Sequence, residues 1–486
     1  MPQRFIGHRW LGIGVVALAG LLLTFAACGD DEKDTGGETT AATTAAAAGG
    51  GGPLKIGLLV DFTGALANYG PDMENAARLA IKHINAGGGV LGEPVELEVG
   101  DSATAPDPAK TEATRMIDVE KVHAIVGSLG SSVSLAVAES VTAPAKIPQI
   151  SPASTGPALT GADDDDYLFR TPISDAAQGL VLAQLVQDLG FSTVCTMFVN
   201  NAYGQGLTEA FAEAFEGGGG AVSAQVSHPD QTAATSYSAE LDQCVQGGPE
   251  ALVAISYPTG QAEVYLREAL EGGLIDQFVF VDGTKDDEMF AALGYENFDG
   301  MSGTAPGALP PSEFSQTFDD LYVEEYGTLY QVAFVRETYD AVLALALAAE
   351  KAGSTDGTAI RDALRDIGNA PGELVAEPPE GIGTALEAIR NGEDVDLSGA
   401  SGSVEWDDSG DVLIGAIEVW TIDAATEKLV TERKFRVDLE AGEFEEIEVE
   451  AEATPTSTSG RMEMDVSTAG VMRLDPVELR GSRSLS

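Results

Sequence analysis

From residue 54 onward, short apolar runs alternate with longer amphipathic ones, and the alternation restarts once, at Asp175. No other feature of the sequence restricts the fold as much. A short, fully apolar run bounded by turn residues reads as a buried strand, and apolar residues spaced three and four apart read as a helix. Strands are expected at 54–61, 95–99, 124–126, 147–150 and 167–170, with helices over 72–84, 109–121 and from Val133. The second round has a helix at 176–189 and strands at 193–199, 221–226, 252–256 and 278–281. Helices at 207–215, 237–245 and 261–271 separate them. Such alternation builds a parallel sheet covered by helices, so two rounds imply two α/β lobes, each with its own mostly parallel sheet.

The stretch 124–159 combines this pattern with polar chemistry. Each of its two strands runs into a turn of small hydroxyl residues, Gly-Ser-Leu-Gly-Ser-Ser at 127–132 and Ser-Pro-Ala-Ser-Thr at 151–155. Open α/β sheets bind ligands at the carboxyl ends of their strands. Ser131 and Ser132 would open a helix there, and helix N-termini offer unpaired N–H groups to anions. With Thr155 on the next strand end, the pair of turns forms a carboxylate cradle. The plainer reading of these residues is helix capping.

The formal net charge of −52 excludes nucleic acid as a partner, because phosphate binding needs lysine and arginine. It also disfavours anionic ligands and anionic membrane surfaces, and it is compatible with a high-salt habitat. Residues 1–28 read as an export signal: Arg4, His8 and Arg9, then an apolar run over 10–25, then Ala26-Ala27-Cys28. This resembles a bacterial lipoprotein signal, which implies lipidation of Cys28 and a place on the outer face of the cytoplasmic membrane or in the periplasm. The apolar run falls short of the ~20 residues that a membrane span needs. Residues 29–53 read as a flexible linker. Cys195 and Cys244 either form one disulfide or remain two buried thiols.

Past Pro310-Pro311, helices are expected at 312–326, 332–351, 358–367 and 384–390, and strands at 403–406, 413–422 and 434–437. Asp408-Ser409-Gly410 reads as a hairpin turn. The surrounding acidic run lacks the spacing and terminal glutamate of a calcium loop, and no metal site is expected. Acidic and Pro/Ser/Thr-rich composition makes 443–486 read as a disordered tail.

Several segments carry a resemblance in order: LKIGLLVDFTGALANYG, ARLAIKHINAGGGVLGEPVELEVGDS, ISPASTGPAL, YLFRT, NAYGQGL and GASGSVEWDDSGD. Over 54–422 the chain resembles the branched-chain amino-acid-binding proteins of bacterial ABC importers, a branch of the type I periplasmic binding proteins. The resemblance implies two Rossmann-like lobes with parallel-sheet cores joined by a three-segment hinge. Lobe 1 would be 54–172 plus 307–402, and lobe 2 would be 173–306 plus 403–442. It also implies a ligand set. Ser131, the backbone at Ala153, and Thr155 would hold an α-carboxylate, and Asp282 would meet the α-ammonium. Tyr69, Tyr203 and Tyr257 would close over the ligand, and Phe334 would border its side chain.

The implied activity is capture of an amino acid between closing lobes by a monomer, which presents it to ABC permease subunits. No cofactor is implied. A receptor for urea, a short amide or another small carboxylic acid stands beside it, as does the sensing subunit of a signalling system. An enzyme is disfavoured: the sequence has no nucleophile elbow, Walker loop, dinucleotide fingerprint or zinc spacing.

Overall fold

The computed structural model describes residues 52–230, 234–309 and 313–449. The signal segment, Cys28 and the linker up to residue 51 lie outside the described residues, as do 450–486.

The first sheet is built from β1 (Lys55–Val60), β2 (Glu96–Asp101), β3 (Ala124–Gly127), β4 (Gln149–Ser151) and β5 (Leu168–Arg170) in the order β2-β1-β3-β4-β5. Every pairing is parallel. β1 reads Lys-Ile-Gly-Leu-Leu-Val with five of its six positions buried. A strand covered on both faces needs a continuous apolar run of this kind, without polar alternation. Helices α1 (Gly70–Ala86), α2 (Pro106–Arg115) and α3 (Ser131–Val137) connect these strands. The chain leaves β1 for β2 on one side and returns to β3 on the other. Strand order therefore reverses between β1 and β3, which opens a crevice at their carboxyl ends.

The second sheet repeats the plan. Helix α4 (Asp175–Asp188) leads into β6 (Thr193–Val199), α5 (Ala202–Gly217), β7 (Ala221–His228), α6 (Ser238–Val245), β8 (Ala251–Ile255), α7 (Glu263–Gly272) and β9 (Phe278–Val279). The order β7-β6-β8-β9 is again parallel and reverses between β6 and β8. Cys195 on β6 and Cys244 on α6 are disulfide-bonded, with Cα atoms 5.5 Å apart. Both lie in an aromatic core with Phe278, Phe280, Phe290, Phe298 and Trp420.

After α8 (Asp287–Leu293), the second sheet gains an antiparallel extension. A bridge from Phe280 to Gly303 leads into β10 (Ser302–Gly307), which pairs with β11 (Ile414–Asp423). β12 (Lys428–Asp438) and β13 (Glu443–Ile447) follow, all antiparallel. The expected disordered tail is corrected here: 443–447 form an edge strand on β12. Alternation explains it. Phe444 faces Phe435 at 6.0 Å between ring centroids, and Glu446 pairs with Arg433 at 2.9 Å. Such cross-strand pairs outweigh an acidic composition.

Between β10 and β11 the chain returns to the first sheet with α9 (Glu313–Tyr326) and α10 (Val335–Ala352), followed by helices over Gly357–Gly368 and Glu380–Arg390. Residues 403–406 are not a strand. Ser403 and Trp406 make only isolated bridges, to Ser398 and Val412. The expected turn at 408–410 is present, with Gly410 at φ +73° and its N–H on the Asp407 carbonyl. Its Asp411 forms a buried ion pair with Arg170, at 2.7 Å, which pins the turn to the end of β5. Among the described residues, no helix is long and apolar enough to cross a membrane.

Candidate functional site

The carboxyl ends of the two sheets face each other across a narrow cavity with about 320 Å³ of space between its atoms. Each sheet contributes through the loops that follow its strands. From the first come Leu66 and Tyr69 after β1, Leu129 and Ser131 after β3, and Ala153 after β4. From the second come Tyr203 after β6, Tyr257 after β8, and Asp282 and Gly283 after β9. Phe334, just before α10, completes the lining.

Local sequence explains the placement. Asn201 caps α5, accepting from the Gly204 N–H at 3.0 Å, and so sets Tyr203 in the first turn. Tyr203 and Tyr257 then stack in parallel, 5.5 Å between centroids and 8° between planes. Gly156 is required by close approach. Its N–H donates to Ser131 Oγ at 3.1 Å, and an added Cβ would lie 2.9 Å from that oxygen. The same holds for Gly283, where a Cβ would sit 2.7 Å from the Tyr203 hydroxyl. Phe334 adopts the left-handed conformation, φ +69°, which is uncommon for a bulky residue. The helix expected over 332–351 therefore begins only at Val335.

Asp282 is the charged residue of the cavity. Its Oδ1 accepts from the Tyr203 hydroxyl at 2.8 Å and from Gln178 Nε2 at 2.9 Å. Burial raises its pKa, while those two hydrogen bonds and the Gly283 backbone act in the opposite direction. Burial also holds the hydroxyls of Tyr69, Tyr203 and Tyr257 well above the usual tyrosine value, so they are neutral donors. Among the described residues, no lysine, arginine or histidine lines the cavity. A buried carboxylate without a cation is costly, so the site favours a guest that brings a positive group.

Contacts across the cavity draw the two sides together. Ser132 Oγ accepts from the Ala202 N–H at 2.8 Å. Asn68 Nδ2 donates to Asp286 Oδ2 at 3.2 Å, and the Tyr69 hydroxyl donates to the Asp282 carbonyl at 3.4 Å.

Of the residues singled out in the sequence, Tyr69, Ser131, Ala153, Tyr203, Tyr257, Asp282 and Phe334 share this one cavity. Thr155 does not line it. Its carbonyl is taken by the Asp175 N–H at 2.8 Å and by Arg170 Nη1 at 2.8 Å, which draws the residue behind the wall, where its hydroxyl is buried. Leu66, Leu129 and Gly283 were not foreseen. Leu66 and Leu129 stand one or two residues from polar loop positions, and a lone leucine in a loop gives no periodic signal. Among the described residues, no group of three or more His, Cys, Asp or Glu is placed to hold a metal ion.

The model of the family described as periplasmic binding protein matches residues 53–380, which is most of the folded region. The chain belongs to the periplasmic binding protein family. Several of its relatives are named for the solutes they bind. A Leu/Ile/Val-binding protein homolog of Brucella melitensis is 27% identical over 359 residues, covering 73% of this chain and 92% of the relative. A leucine-, isoleucine-, valine-, threonine- and alanine-binding protein of Pseudomonas aeruginosa is 26% identical, covering 64% of this chain and 82% of the relative. Among solved structures, a leucine-binding protein from Thermotoga maritima superposes with a TM-score of 0.66 at 25% identity, over 80% of this chain and 99% of its own. The fold is thus the type I periplasmic binding protein fold, with two parallel-sheet units facing one cavity.

Proposed function

We propose that this periplasmic binding protein is the extracytoplasmic solute receptor of an ABC importer and that it captures an amino acid of the branched-chain type. One observation carries the reading: a single buried carboxylate, Asp282, shares a small cavity with Ser131 and the start of α3, and the rest of the lining is apolar or aromatic. An ammonium group suits Asp282, a carboxylate suits the Ser131 end, and an aliphatic side chain suits Leu66, Leu129 and Phe334. Burying such a side chain contributes about 1.5–3 kcal/mol. The solutes named for the Brucella and Pseudomonas relatives support the same class.

The two lobes of this reading are 54–172 plus 307–402 and 173–306 plus 403–442, with crossings near 172, 306 and 402. Capture proceeds by closure of the lobes, without a chemical step, and the closed form is presented to permease subunits. Lipidation of Cys28 would hold the receptor at the membrane, and detergent partitioning of a Cys28→Ser protein tests that part.

The deciding experiment is a thermal-shift and calorimetric screen of the amino acids alongside urea and short amides. Leucine, isoleucine or valine should stabilise the protein by about 2.7 kcal/mol at 100 times the dissociation constant. Stabilisation by urea or an amide alone would overturn the amino-acid assignment.

A further inference from the structure

Behind Asp282 lies a second carboxylate that the cavity does not reach. Asp175 opens α4 and has no exposed surface, and the side-chain donor beside its carboxyl is the buried Thr155 hydroxyl, which does not reach ordinary hydrogen-bond geometry with either oxygen. Gln178 stands one turn later on the same helix and is also fully buried. Its Nε2 donates to Asp282 Oδ1 at 2.9 Å and to the Thr304 carbonyl at 3.2 Å, while its Oε1 has no donor. The Thr155 hydroxyl, the group withdrawn from the cavity wall, is buried here too.

The charged and titratable groups around Asp175 are few. Asp282 and the neutral Tyr203 hydroxyl lie on the cavity side, and Arg170 lies on the β5 side. The two outer nitrogens of Arg170 are committed elsewhere, Nη2 to Asp411 at 2.7 Å and Nη1 to the carbonyls of Thr155 and Gly156 at 2.8 and 3.1 Å, while its Nε has no partner among the described residues. It gives Asp175 no hydrogen bond. Two buried carboxylates that repel one another, neither in hydrogen-bond contact with a cation among the described residues, do not both stay ionised. Burial and then the Asp282 charge push the Asp175 carboxyl well above its usual range, outweighing the Thr155 hydroxyl and the Arg170 charge, which act the other way.

We propose that Asp175 is a positioning residue that holds a proton in the empty site, so that Asp282 remains the single anion offered to a solute's ammonium group. The protonated carboxyl supplies the donor that Gln178 Oε1 lacks, and the Thr155 hydroxyl donates to the other Asp175 oxygen. Gln178, fixed at both ends, then keeps its amide on Asp282. The inference rests on the ammonium-binding role of Asp282 for its consequence, but not for the proton.

Two measurements test it. In the empty protein at pH 7, the infrared difference between wild type and Asp175→Asn should contain one protonated-carboxyl stretch that the variant loses. Should Asp175→Asn fail to fold, carbon-13 titration of the wild-type aspartates reads the same proton, as one carboxyl that stays in the protonated position at pH 7. No such stretch, or no such carboxyl, overturns the proposal whatever the solute. The second measurement uses L-leucine. Asp175→Asn keeps an N–H donor at this place and should bind it about tenfold more tightly than Asp175→Ala, which leaves Gln178 Oε1 without one. Equal losses in the two variants overturn the positioning role. Absence of L-leucine binding to wild type removes the amino-acid reading, while the infrared result still decides the proton.

Discussion

The two sides of the cavity have the same architecture and opposite chemistry. On the first-sheet side a set of buried serines bond to one another. Ser134 Oγ accepts from the Ser128 N–H at 3.0 Å, Ser154 Oγ donates to Ser134 Oγ at 2.8 Å and Ser151 Oγ donates to the Ser128 carbonyl at 2.6 Å. The result is a neutral, cross-bonded frame of serines. On the second-sheet side Tyr203, stacked on Tyr257, and Gln178 donate to a carboxylate that has no cation on it among the described residues. A frame whose hydrogen bonds are already made can orient a guest but gains little from it. A carboxylate kept from water gains much from a guest that carries charge. Affinity should therefore reside with the second side and orientation with the first.

That division can be broken at named residues. The largest effect is expected from Asp282→Asn, which removes one partner of a buried charge pair. Such truncations cost about 2–5 kcal/mol, so leucine binding should fall at least roughly 30-fold by calorimetry. Retained affinity would place the charge recognition elsewhere.

Tyr203→Phe comes next. It deletes the 2.8 Å donor to Asp282 and the acceptor of the Gly283 N–H, 3.1 Å away. A hydrogen bond to a charged group contributes about 1.5–3 kcal/mol, so roughly a tenfold loss is expected, with the fold intact by circular dichroism. A loss no greater than that of Ser131→Ala would contradict the asymmetry.

Acidification distinguishes the sides without mutation. The folded pKa of Asp282 lies above its ordinary value of 3.8. Binding needs the ionised form, so affinity should decline as pH falls through that raised pKa, by up to about tenfold per pH unit below it. Its effect on the empty fold has the opposite sign. There the contribution of Asp282 to stability is fully present below 3.8 and is lost as pH rises through the folded pKa. Parallel loss of affinity and stability on mild acidification would show that another group controls binding.

The smallest effect is expected at Ser131→Ala. This loses the acceptor of the Gly156 N–H but leaves the backbone donors of α3 in place, for about 0.5–1.5 kcal/mol. Isothermal titration of the variant with leucine measures it directly.

The sheets were legible because parallel strands buried on both faces announce themselves as apolar runs, as β1 and β8 do. The site was legible for a related reason. Strand order reverses at β1/β3 and β6/β8, so residues just past those strand ends had to meet, and Tyr69, Ser131, Tyr203 and Tyr257 do. What stayed hidden depends on competition between contacts that no local pattern records. Thr155 looked like a lining hydroxyl, yet Arg170 and the Asp175 N–H hold its carbonyl behind the wall. Phe334 fits a helical pattern, yet takes a left-handed conformation that only its tertiary setting selects. β13 was masked by its glutamates, which carry no strand signal until Arg433 and Phe435 stand opposite them.

The bond between Cys195 and Cys244 has a practical consequence. The sequence has three cysteines, and the third is Cys28. A protein beginning after Cys28 would therefore offer no thiol to a maleimide dye. One cysteine placed at Asn68, whose amide reaches Asp286 across the cavity mouth at 3.2 Å, would be the sole labelling position. An environment-sensitive fluorophore there would turn solute capture into an optical signal, so the native cross-link prepares the receptor for use as a reagentless sensor.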